Sequence, residues 1–241
     1  EIMSVIAGHD DKDGTSLPEK EYDYSTDIAV AGKKVCIVKE LLEKADDATK
    51  ANVIKYADAL KANGVEVEEI SWDFFDLANT AWQILMCAET CNNVSRYDGV
   101  KYGYRAEGYK NIDELYVGSR TEAFGFLTKA TIIYGSDVLS KGRYEVCYDK
   151  ALKIRRKAVE TLTELFAKFD ALLMPAYSKA DAQTYDVTDA FNKVYEESLF
   201  TAPASITGMP AVVTKGVQLV GNYFTDGKLL ALAKTLEKEE A

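Results

Sequence analysis

Arg96, Tyr97, Asp98, Tyr102, Tyr104 and Arg105 fall within ten residues of one another, spaced by Gly99 and Gly103. Phenol hydroxyls and guanidinium groups in one loop can hold a carboxylate ligand, the phenol through its single O–H and the guanidinium through a planar fork of donors. The same segment also reads as a structural loop that packs its rings against neighbouring helices. Both readings stand on these residues alone. Arg155 lies in a Lys-Ile-Arg-Arg run within a helical pattern, where arginine ordinarily lays its stem along the surface and keeps its head in water. Adjacent carboxylates such as Glu68-Glu69 and Glu196-Glu197 read as solvated faces rather than acid/base pairs, because glutamate is seldom buried.

Other chemistries are short of parts. His9 is the single histidine, which excludes multi-histidine metal centres and leaves one candidate for the commonest general base. The four cysteines are Cys36, Cys87, Cys91 and Cys147. Cys87 and Cys91 share a helical face in an apolar stretch and read as buried thiols. With His9 far from them in a polar segment, neither a zinc site nor a Cys–His nucleophile is expected. The sequence contains no G-x-G-x-x-G, P-loop or G-x-S-x-G pattern, so the phosphate cradle and the nucleophile elbow are missing. No metal and no cofactor are expected.

The elements that must position these residues follow from periodicity. Ile2 to Ile6 looks like the last turns of an apolar helix closed by Gly8, and a polar connection runs on to Gly32. Lys34–Lys39 is β-rich, a helix capped by Asp46 or Asp47 runs to Asn63, and Val65–Ile70 alternates as a second strand. Strand, helix, strand over some 35 residues predicts a parallel βαβ unit with a right-handed crossover. A helical middle follows: Phe74–Val94, with Leu77, Ala81, Ile84, Leu85, Ala88 and Cys91 as one stripe, then one or two helices over Ile112–Leu139, then Tyr144–Lys168. Asp170–Met174 predicts a buried strand ended by Pro175. Short helices near Asp189–Glu197 and Leu199–Thr207, strands at Ala211–Val213 and Gly216–Val220, and a helix over Lys228–Glu239 close the chain. The class is α/β, with a layer of helices in the middle.

At 241 residues, 47% hydrophobic and 28% charged, the composition is that of a globular protein with a sizeable core. The expected organisation is a single domain over 1–241: a connection over 1–32, the βαβ unit over 33–71, the helical layer over 72–168 and the closing strands and helices over 169–241. A net charge of −10, from 29 basic and 39 acidic residues, argues against direct binding to nucleic acid or an anionic membrane. No apolar run approaches a membrane span, so a soluble, cytoplasmic protein is expected.

Taken in order, the segments resemble the amidase-signature family, and within it the A subunits of glutamyl-tRNA(Gln)/aspartyl-tRNA(Asn) amidotransferases. The matching stretches are IAGHDDKDGTS at Ile6–Ser16, GKKVCIVKE at Gly32–Glu40, GVEVEEIS at Gly64–Ser71 and RYDGVKYGYR at Arg96–Arg105. They continue with the segment Asp113–Gly125, KIRR at Lys153–Arg156, FTAPASITGMPAV at Phe200–Val212 and GVQLVGNYFTDGKLL at Gly216–Leu230. The resemblance implies an α/β/α sandwich around a mixed sheet. It implies glutamine hydrolysis that supplies ammonia for tRNA-dependent amidation, with B and C subunits as partners. It also implies that the chain matches the C-terminal half of such a protein, with the N-terminal half of the fold missing.

The family hydrolyses amides with a serine, a cis-serine and a lysine. No Ser-Ser dipeptide or Gly-Gly-Ser run occurs in the sequence, so no catalytic residue is assigned and the chain alone is expected to be inactive. By resemblance Tyr104, and less directly Tyr102, matches the tyrosine lining the glutamine site, and Arg155 the arginine that holds the substrate carboxylate. Ser198 stands where the family has an amine-binding aspartate, and a neutral hydroxyl cannot offer an ammonium the same charge-assisted bond. Between the last two strands only Thr214-Lys215 remain where the family has P-C-G and a longer hairpin. Two expectations follow: a substrate-side portion of a glutamine amidase, or a degenerate binding or protein-interaction module. Either is expected to self-associate or to need a complementing N-terminal half that completes the sheet.

Overall fold

In chain order, helix α1 (Ile2–Ile6) leads to strand β1 (Lys34–Val38), helices α2 (Lys39–Glu43) and α3 (Asp47–Ala62), and strand β2 (Glu66–Ile70). Helices α4 (Phe75–Val94), α5 (Ile112–Ala123), α6 (Phe126–Val138) and α7 (Tyr148–Phe166) follow. Strand β3 (Ala171–Pro175), helices α8 (Ala190–Ser198) and α9 (Ala202–Thr207), strands β4 (Ala211–Thr214) and β5 (Val217–Val220), and helix α10 (Asp226–Glu237) complete the chain. These come from a computed structural model, which describes residues 2–18, 24–179 and 189–237. The expected end of the last helix, at 238–239, and the polar loop over 180–188 lie outside the described residues.

The strands form one mixed five-stranded sheet in the order β2-β1-β3-β5-β4. The βαβ reading holds: β1 and β2 are parallel, with Lys34 opposite Glu66 and Val38 opposite Ile70. Local chemistry sets this unit. Asp46 accepts the Thr49 N–H at the start of α3 at 2.8 Å, and Gly64 takes a φ of 80° that its lack of a Cβ allows. Strand β3 runs parallel to β1 and antiparallel to β5, and all five of its residues are buried. One core cluster joins Val35, Ile37, Leu173, Val217 and Leu219 of the strands to Tyr56 and Leu60 of α3 and Leu229, Leu232 and Leu236 of α10. Burying each such side chain contributes about 1.5–3 kcal/mol before chain entropy is counted.

The structure divides into two compact units. The first comprises Glu1–Phe75, Ala158–Ala182 and Phe200–Ala241, and carries the sheet. The second comprises Asp76–Lys157 and Gln183–Leu199, and carries α4, α5, α6, α8 and the first part of α7.

Several details depart from the periodicity. The Ile112–Leu139 stretch is two helices, broken at Phe124-Gly125, and α2 is an element the pattern did not announce. Leu77 is 45% exposed, so the buried side of α4 is carried by Ala78, Ala81, Cys87 and Ala88 with the polar Asn79 and Gln83. The connection between β4 and β5 is a two-residue turn: Thr214 pairs with Val217, and Lys215 and Gly216 both have positive φ, 51° and 79°. Positive φ at both positions gives the twist that a two-residue hairpin needs.

Candidate functional site

The tyrosine loop is pinned to α5. Asp98 accepts the Val100 and Lys101 N–H groups, at 2.8 and 3.1 Å, and these bonds hold its carboxyl below the usual range. The Gly99 N–H donates to Tyr102 O at 3.1 Å, which closes the loop on itself. From α5, the buried Ser119 hydroxyl accepts the Ala106 N–H at 3.0 Å. One residue on, Arg120 donates from Nη1 to the carbonyls of Val94 and Tyr97, at 3.0 and 3.1 Å, and stacks its guanidinium over Phe124. Gly99 fits here because it has no side chain: φ is 78°, and an added Cβ would run into Ser119.

With the backbone so held, the rings point to solvent. Tyr97, Tyr102 and Tyr104 are 45%, 60% and 51% exposed. The loop is therefore structural in its main chain but does not bury its aromatics as the packing reading requires. Tyr104 Oη donates to Glu122 Oε2 of α5 at 2.5 Å. That bond and the charge behind it push the phenol above its ordinary range. Ser119, Arg120 and Glu122 belong to the quoted segment Asp113–Gly125, but nothing in their spacing announced that they grip a loop some twenty residues upstream.

The remaining candidates are placed as follows. Arg155 is exposed on α7, near enough to Tyr148 to act on its phenol, which is raised by burial and by its 3.0 Å bond to Glu89. Tyr102, Tyr104 and Arg155 all lie in the second unit, and among the described residues no hydrogen bond joins them to one another. Ser198 is buried and committed: its hydroxyl donates to Val194 O at 2.7 Å, and it lies 3.4 Å from Asn79 Oδ1. Asn79 in turn donates to Tyr195 O at 3.0 Å, so this cluster joins α8 to α4.

The cysteines are split. Cys87 is buried and its thiol is pushed up to about 11 by burial, whereas Cys91 is only half-buried, with Sγ 3.2 Å from Ser136 Oγ. The expectation of a buried thiol thus holds at Cys87 and is corrected at Cys91, which stays half-buried although Gly135 of α6 packs closely against both residues. Burial also pushes the Cys36 thiol, in β1, up to about 12. Neither raised thiol is a nucleophile at neutral pH.

Comparison with known proteins decides the family. A family model described as Amidase matches residues 1–230. The chain belongs to the amidase-signature family. This amidase-signature chain is 35% identical over 250 residues to the A subunit of glutamyl-tRNA(Gln) amidotransferase from Prosthecochloris aestuarii, a match covering 98% of the chain and 52% of that protein. It is 32% identical over 249 residues to the protein of the same name from Clostridium botulinum, covering 98% and 51%. The chain spans about half the length of the curated relatives it matches. Its fold is that of the crystal structure of the Thermotoga maritima glutamyl-tRNA(Gln) amidotransferase A subunit, with a TM-score of 0.72, 24% identity, and 99% of this chain and 49% of that one covered. A bacterial aryl acylamidase of the amidase-signature family has a TM-score of 0.74 at 15% identity, covering 98% and 49%. Among the described residues no helix is long and apolar enough to cross a membrane.

Proposed function

We propose that the chain is the substrate-side portion of a glutamine amidase, of the kind found in the A subunits of glutamyl-tRNA(Gln) amidotransferases, in which hydrolysis of the side-chain amide supplies ammonia to tRNA-dependent amidation. The observation that carries this reading is the exposed Tyr104 on a loop whose backbone is fixed from α5. A ligand-facing phenol on a rigid support is what a binding site needs, because little ordering cost remains at binding. Arg155, exposed and without an ion-pair partner among the described residues, is the second anchor, for the substrate carboxylate. Neither Tyr102 nor Ser198 is given a direct contact, since Ser198 is engaged inside α8. The sequence has no Ser-Ser dipeptide to supply a serine–cis-serine pair, so on this reading the chain by itself releases no ammonia from glutamine. In the complete assembly the partners are amidotransferase B and C subunits.

The test is a chimera in which this chain replaces the matching half of the P. aestuarii protein, assayed for ammonia release from glutamine. Activity that Arg155→Ala lowers at least about tenfold, mainly through KM, is the expected result, since one charge-assisted contact is lost. An active chimera indifferent to Arg155 overturns the assignment. Ser198 and the two-residue β4–β5 turn favour a second reading, a non-catalytic amidase-like binding module. A folded chimera that releases no ammonia supports that reading instead.

A further inference from the structure

Val35, Ile37 and Val67 turn inward to the core cluster, so strand alternation gives Lys34, Glu68 and Ile70 to the opposite face of β1 and β2. There the end of α7 and the residues after it close a cleft of about 440 Å³, within the range of small-molecule sites, whose walls include Trp72, Leu165 and Phe169. All of its lining lies in the first unit. Its aromatic end is firmly set: Glu40 of α2 accepts the Trp72 N–H at 3.0 Å and the Ser71 hydroxyl, and the Trp72 ring meets Phe75 edge-on at 4.2 Å. Lys34 stands at the other end. It begins β1 opposite Glu66, whereas Ile70, two residues before Trp72, ends β2, a strand length of about 13 Å at about 3.3 Å per residue. The charged walls carry both signs. Lys34 pairs with Glu66 at 3.3 Å, while Glu68, Glu164 and Lys168 are exposed and form no ion pair among the described residues. A ligand of single charge leaves one set of these groups facing its own sign, and a zwitterion satisfies both.

We propose that this cleft binds a free amino acid with an aromatic or large apolar side chain. The ligand's carboxylate goes to Lys168, supported by Lys34, and its ammonium to Glu68 and Glu164. Its side chain lies along Ile70 and Leu165 and ends against Trp72, an indole wall already fixed before the ligand arrives, so little ordering cost remains. None of these residues takes part in the glutamine contacts proposed above.

The experiment uses the full chain with Trp82→Phe, which leaves Trp72 as its one tryptophan. Trp72 emission is followed as phenylalanine is added, then phenylpropanoate, which lacks the amine, phenylethylamine, which lacks the carboxylate, and alanine, which lacks the ring. Calorimetry on the unaltered chain repeats each titration. Phenylalanine is expected to change the emission saturably and to bind at least about tenfold more tightly than each of the other three. Lys168→Met is expected to weaken phenylalanine and phenylpropanoate about tenfold and to leave phenylethylamine unchanged, and Glu164→Gln to weaken phenylalanine and phenylethylamine and spare phenylpropanoate. Both positions are exposed, and circular dichroism checks that the variants are folded. Phenylpropanoate or phenylethylamine binding as tightly as phenylalanine overturns the inference. So does a folded chain that gives neither a saturable emission change nor heat with phenylalanine.

Discussion

Tyr104 is exposed, yet it is held by residues whose spacing gave no sign of that role. Ser119, Arg120 and Glu122 sit within one turn of α5 and address, respectively, a backbone N–H, two carbonyls and a phenol. The sequence made the loop visible through its tyrosines and glycines. It did not show the grip, because a serine and an arginine inside a helix ordinarily face water, and their use here depends on where the chain returns in space. Ser119→Ala removes an acceptor and leaves the Ala106 N–H buried without a partner. The expected cost is about 1–3 kcal/mol in urea unfolding, and a loss within a few tenths of wild type would show that the loop is held without it. At Ser198 the sequence was read as a weakened amine site. In the structure its hydroxyl takes part in a link between α8 and α4.

Elements were more legible than side-chain roles. The parallel β1–β2 pair, the buried β3 and the closing helix follow from alternation, apolar runs and capping residues, and all stand in the structure. The two-residue hairpin was half-legible: the sequence showed a short connection but placed it at Thr214-Lys215, whereas Lys215 and Gly216 form the turn. Gly216 is the intolerant position, since φ is 79° and an added Cβ would strike Tyr177. Gly216→Ala is expected to lower stability by about 1–3 kcal/mol. Lys215→Asn, a residue type that accepts positive φ, is expected to raise it by a few tenths of a kcal/mol or more. Thermal unfolding of both variants checks the pair, and equal shifts would contradict the turn assignment.

Asp170 makes a second link between elements that periodicity could not show. It accepts the Lys34 N–H at 2.9 Å and pairs with Lys228 Nζ at 2.6 Å, tying the starts of β1, β3 and α10. Burial alone would raise its carboxyl, but the Lys228 and Lys34 bonds outweigh burial and hold it below the usual range. Since the folded value is depressed, this contribution is present above the unfolded value of about 4 and is lost as pH falls through the folded one. Asp170→Asn is therefore expected to cost about 1–2 kcal/mol at neutral pH, the charge-assisted bond discounted for partial exposure. Urea unfolding of variant and wild type should converge in acid, and a gap that persists unchanged there would contradict the assignment.

For the whole molecule, the sheet leaves two outer strands of different character. β2 carries Glu66, Glu68 and Glu69, which discourage further pairing, whereas β4 is Ala-Val-Val-Thr with Val213 59% exposed. An uncharged edge accepts another strand readily. Concentration-dependent association in sedimentation velocity is expected, reduced by Val213→Lys, and a monodisperse monomer at all concentrations would contradict it. Family membership was readable from the order of the matching segments along the chain. The chemistry was not, since it depends on groups drawn from more than one stretch of sequence. The proposed function has these 241 residues carrying a glutamine amidase's substrate side without its nucleophile. Ammonia release from glutamine by the purified chain tests this most directly. No turnover above the uncatalysed background is expected, and hydrolysis at an enzymatic rate would overturn the proposed function.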